Sequence, residues 1–163
     1  MKRTDLPRLV EVLRGPLQTF VRESRVRTAL IINGSGQVLA QHGFTRSYEV
    51  MNVASLAAAA HASSRKLAEV AGANAWDHLY HGGIERQLFL APLRTPVEEL
   101  ILVAIFDVDS SLGIVQLFYQ RMEQAVAALA EFGRPREQTD QANFEKDLEA
   151  GLDYIAPDAQ RQD

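Results

Sequence analysis

One stretch of the chain is apolar without interruption: Leu100-Ile-Leu-Val-Ala-Ile-Phe106, followed at once by Asp-Val-Asp-Ser-Ser-Leu-Gly113. A run with no polar alternation needs cover on both faces, so it predicts a strand in the middle of a sheet. Where it stops, Asp107, Asp109, Ser110 and Ser111 supply side-chain oxygens able to accept the unpaired N–H groups that open a helix. Val115, Phe118, Met122, Val126 and Leu129 then recur at steps of three and four, forming the stripe of a helix that Gly133 and Pro135 are expected to end.

The rest of the pattern builds around that strand. A first helix is expected from near Thr4 or Asp5, with Pro7 in its first turn and Leu6, Leu9, Val10, Leu13, Leu17, Phe20 and Val21 on one face. Gly15-Pro16 predicts a kink or break in it, because proline removes a donor and crowds the preceding turn. Residues 28–32 and 37–41 are short aliphatic runs joined by Asn33-Gly-Ser-Gly36, the signature of an antiparallel hairpin. A long Ala-rich helix follows over residues 50–71, ended by Gly72. Residues 76–81 and 86–91 predict a second hairpin about Gly82-Gly83, with Pro92 and Thr95-Pro96 closing the fourth strand. The expected order is helix, two strands, helix, three strands, helix.

The second helix carries the informative surface. At about 100° per residue, Val50, Val53, Leu56, Ala57, Ala60, Ser64, Leu67 and Ala71 share the side expected to lie on the sheet. The opposite side collects Met51, Ser55, Ala58, Ala59, Ala62, Arg65, Lys66 and Glu69, with far less charge than a solvated face carries. Small side chains admit the close approach of another backbone, so this side predicts a contact surface for a partner helix or protein. The plainer alternative is an alanine surface chosen for helix propensity.

Beyond a domain spanning residues 1–133, residues 134–142 are charged, polar and aperiodic, which predicts a linker. In residues 143–156, Phe144, Leu148, Leu152 and Ile155 fall at helical steps among acidic neighbours, and 157–163 is expected to be a disordered tail. So short a helix is marginal in isolation and is expected to form when docked.

Composition narrows the function classes. With 47% apolar residues in 163, the chain can bury one core and is too short for two full-sized ones. A formal charge of −4 gives no support to nucleic-acid binding. No cysteine is present, no apolar run is long enough to span a bilayer, and no leader precedes the first helix, so a soluble cytoplasmic protein is expected. His78 and His81 fall on opposite faces of their predicted strand, His61 has no acidic or histidine neighbour one helical turn away, and His42 stands alone. Neither a phosphate-loop pattern nor a Gly-x-Ser-x-Gly elbow occurs. An enzyme with its own active site, metal or cofactor is therefore not expected.

Leu102-Val-Ala-Ile-Phe-Asp107 followed by Ser110-Ser-Leu-Gly-Ile-Val115 resembles the last strand and third helix of the roadblock (dynein light chain) family. Ala29-Leu-Ile-Ile-Asn-Gly-Ser-Gly-Gln-Val-Leu39 resembles its first hairpin, and Ser55-Leu56, Leu67-Ala68, Gly72, Asn74 and His81-Gly82 are similar to its bacterial gliding branch. The resemblance implies an α+β, three-layer α/β/α roadblock (longin-like) fold. In it a five-stranded antiparallel sheet has the second helix on one face and the first and third on the other. It also implies a homodimer formed by the second helix and by the strand beginning at Trp76. The partner it implies is a small Ras-like GTPase of the MglA type, activated through its switch loops without an arginine finger, in cell polarity or motility. An adaptor that binds other polarity proteins is the alternative, and docking of residues 143–156 on the GTPase is a further implication. Arg65, Lys66 and the Ala58-Ala59-Ala60 run depart from the family's second helix.

Overall fold

The computed structural model of the chain describes residues 6–44, 46–95 and 98–129. The elements run α1 (Leu6–Ser24), β1 (Thr28–Asn33), β2 (Val38–His42), α2 (Ser47–Val70), β3 (Leu79–Gly82), β4 (Gln87–Arg94), β5 (Glu99–Phe106) and α3 (Leu112–Ala127). The strands form one sheet in the order β2-β1-β5-β4-β3, every neighbouring pair antiparallel. The continuous apolar strand β5 thus lies at the centre, bonded to β1 on one side and β4 on the other, as its lack of alternation requires.

Alternation along β5 divides the core. Leu100, Leu102, Ala104 and Phe106 point to the face covered by α1 and α3, where they meet Leu13, Leu17, Phe20, Val115 and Met122. Ile101 and Val103 point to the other face with Leu30, Ile32 and Leu90, and there α2 contributes Ala54, Ala57 and Ala58. The layer under α1 and α3 is filled by large side chains from both sides. Beneath α2 the bulk comes from the sheet and the helix supplies methyl groups, which lets its backbone sit close.

Several local expectations are corrected. Of the kink or break expected at Gly15-Pro16, the break does not occur: α1 runs on through Pro16, with Leu9, Leu13, Leu17, Phe20 and Val21 buried along it. Each such side chain contributes about 1.5–3 kcal/mol, and together they outweigh the roughly 3 kcal/mol cost of an interior proline. β4 continues through Pro92, which stands opposite Ile101. Pairing with β3 stops at Leu90, so past that point β4 has an open side where a missing N–H is tolerated. β3 begins at Leu79, leaving Trp76 and His78 in the segment before it. α3 closes at Ala127, whose successor Ala128 donates its N–H to the Gln124 carbonyl, so it stops short of Gly133.

Two turns follow their sequence. In the β1–β2 hairpin Asn33 Oδ1 accepts from the Ser35 and Gln37 backbone N–H groups, and Gly36 takes φ +81° beside the Ala54 carbonyl of α2. At the start of α3 the Ser111 hydroxyl accepts from the Ile114 N–H. Phe144, Leu148, Leu152 and Ile155, with the linker and tail around them, lie outside the described residues. Among the described residues no helix is long and apolar enough to cross a membrane.

Candidate functional site

The helix α2 presents two unlike faces, and they are turned relative to the sequence expectation. Ala54, Ala57, Ala58 and Ala68 are its buried residues. Leu56 and Leu67, expected on the sheet, are exposed at 71% and 57%, whereas Ala58, expected on the contact surface, is buried. The sheet face below is already crowded by Leu30, Ile32, Leu90, Ile101 and Val103, so the helix seats its smallest side chains there and turns the leucines outward.

The outward face is consequently more apolar than its sequence predicts. Met51 and Val70 are exposed at 68% and 76% and share this face with Tyr48, Leu56 and Leu67. Ser55, Ala59, Ala62, Arg65, Lys66 and Glu69 are exposed among them, and the Ser55 hydroxyl is turned back onto the Met51 carbonyl. Charge on the face is largely self-matched: Lys66 Nζ lies 2.7 Å from Glu69 Oε2. Trp76 is partly exposed in the segment leading to β3, which is an edge of the sheet and carries exposed Tyr80.

Beside the C-terminal half of α2 a cleft of about 210 Å³ opens toward β4 and β5, lined by His61, Arg65, Trp76, His78, Arg94 and Glu99 among others. His61 Nε2 lies 3.0 Å from Glu99 Oε1, and Arg65 Nη1 reaches the same oxygen at 3.4 Å. Reading along the helix could not find this partner, because Glu99 comes from β5 and not from the next turn of α2. His78 stacks on Phe89 with ring centroids 5.3 Å apart, and its Nε2 is 3.1 Å from Gln116 Nε2. His42 and His81 are exposed. Among the described residues no group of three or more His, Cys, Asp or Glu side chains is placed to hold a metal ion. At the far end of the sheet Arg27 donates to Asp107 and Asp109, tying the start of β1 to the turn before α3.

This arrangement of helices, sheet and faces has known relatives. The Roadblock/LC7 domain profile matches residues 16–106, from the middle of α1 to the end of β5. MglB of Myxococcus xanthus superposes with a TM-score of 0.67 at 21% identity, over 85% of this chain and 98% of that one. The gliding protein mglB of Thermus thermophilus gives 0.62 at 29% identity, over 80% of this chain and 94% of that one. An MglB solved in a tetrameric arrangement gives 0.61 at 29% identity, over 80% and 93%. No curated protein matches the sequence at a significant level. With more than half of its length matched by that profile, and with the five-stranded antiparallel sheet between one helix and two, the chain belongs to the Roadblock/LC7 domain family.

Proposed function

We propose that the protein is a homodimeric regulator of a small Ras-like GTPase in bacterial gliding or cell polarity, with no active site of its own. The observation that carries this reading is the outward face of α2, where Met51, Leu56, Leu67 and Val70 stand exposed on a helix already seated on its sheet by its other side. A surface helix ordinarily turns polar residues outward, and a contiguous apolar stripe marks a place where another protein sits. The likeness at 29% identity to a gliding protein and to an MglB in a tetrameric arrangement supports both self-association and the GTPase context.

The activity proposed is a push on switch loops. Ordering those loops positions the attacking water and the groups that stabilise the transferring phosphoryl, so an activator need donate no side chain to the chemistry. Arg65 is engaged by Glu99 and Lys66 by Glu69, which suits contact residues better than an arginine finger. Residues 143–156 are proposed to dock on the same GTPase at a separate site.

GTP hydrolysis by a Ras-like GTPase of the same organism, with and without the protein, is the test. Acceleration is expected, and Arg65→Ala is expected to weaken binding while leaving the saturated rate nearly unchanged. A fall of about 10³–10⁵ in that rate would make Arg65 a finger. Binding without acceleration would make the protein an adaptor.

A further inference from the structure

Arg94, the last residue of β4, stands directly opposite Glu99, the first residue of β5. Opposite charges at facing positions of an antiparallel pair ordinarily bond to each other. Here they do not. The Glu99 carboxylate is drawn across to α2, where it is held by His61 at 3.0 Å and Arg65 at 3.4 Å. Glu69, the other carboxylate lining the cleft, is matched by Lys66. Arg94 is exposed at the cleft wall and has no ion-pair partner among the described residues.

We infer that the cleft beside α2 receives a carboxylate presented by the partner GTPase, with Arg94 as its counter-charge. The inference rests on the proposed function and names the chemistry of the partner surface. The shape and lining agree with it. Arg65 and Glu69 line the cleft and also belong to the exposed surface of α2, so the cleft is continuous with the proposed contact face. Trp76 lies on its wall, partly exposed, and Leu79, Leu90 and Pro92 give it an apolar floor. An acidic side chain would lay its methylenes on that floor and its oxygens on a guanidinium, whose planar fork matches a carboxylate in two parallel bonds. Trp and Arg grouped in a concave site are the residue types that most often anchor protein interfaces.

The test is the affinity of the full-length protein for the GTPase loaded with a non-hydrolysable GTP analogue. Arg94→Glu, Arg94→Lys and a control, Arg86→Glu on the exposed β3–β4 turn, are compared with the wild type, and the homodimer is followed by sedimentation. The inference predicts at least a tenfold loss of affinity for Arg94→Glu, a smaller loss for Arg94→Lys, no change for Arg86→Glu, and an intact dimer throughout. Wild-type binding with Arg94→Glu inside a factor of two overturns the inference and leaves the proposed function standing. Dissociation of the homodimer by Arg94→Glu also overturns it, because the carboxylate would then come from a second copy. A wild type that does not bind the GTPase overturns the proposed function and this inference with it.

Discussion

His61 on α2 meets Glu99 at the mouth of β5, nitrogen to oxygen 3.0 Å apart, with the imidazole nearly shielded from solvent and the carboxylate about one third open to it. Past residue 58, Ala68 is the one buried apolar residue that α2 offers the sheet, so this polar contact carries much of the attachment of the helix's C-terminal half.

His61→Ala should therefore loosen one half of one helix. A hydrogen bond to a charged group contributes about 1.5–3 kcal/mol. Amide hydrogen exchange is expected to quicken over residues 59–70 and to stay unchanged over residues 112–127 of α3. Equal change in both, or none in α2, would contradict the attachment.

The alanine seam makes an opposite pair of packing predictions. Ala57→Leu inserts bulk where the sheet already fills the space and should cost about 1–3 kcal/mol by urea unfolding. Leu102→Ala, which empties a fully buried position on the other face of β5, should cost about 2–5 kcal/mol. An Ala57→Leu protein as stable as the wild type would mean that the layer under α2 has room to spare.

Acid should act through the far end of the sheet. The Asp109 backbone N–H and the Arg27 guanidinium hold the Asp107 carboxyl below the usual carboxylate range. A carboxyl depressed in the folded state stabilises it fully above the unfolded value, about 3.9, and the contribution is lost as pH falls through the folded value. Asp107→Asn should lower the urea midpoint at pH 7 and converge with the wild type in strong acid. A constant gap at every pH would show that the substitution acts through packing.

The proposed docking of residues 143–156 predicts a dissociation of two readouts on removal of residues 134–163. Melting of the remaining domain should be unchanged, while affinity for the GTPase or its nucleotide exchange rate shifts. Loss of more than about 1 kcal/mol of stability, the scale of one buried methylene, would mean that Phe144, Leu148, Leu152 and Ile155 pack on their own domain instead.

Much of the fold is legible in the sequence because long apolar runs leave little choice. β5 has no polar face to show solvent, so its place at the centre of the sheet follows from its residues, and the Asn33–Gly36 turn dictates the hairpin beside it. α2 is legible as a helix but not in its rotation. Its alanines suit either side, and the bulk of Leu30, Ile32, Leu90, Ile101 and Val103, contributed by three other elements, decides which residues go under. Tyr119 joins the buried stripe of α3 although its pattern does not announce it, because its hydroxyl needs a buried acceptor. The Pro92 carbonyl supplies that acceptor at 2.6 Å, from a strand expected to end before it. The Arg94, Glu99 and His61 arrangement is invisible in the sequence for the same reason: its members meet only when β4, β5 and α2 are brought together.

If the outward face of α2 is a protein contact surface, sedimentation of the free protein at tens of micromolar will show it. The wild type is expected to be a dimer and Ala59→Arg combined with Leu67→Arg, both exposed positions, a monomer, with the melting temperature of the domain retained. A monomeric wild type, or a double variant that remains dimeric, would contradict it.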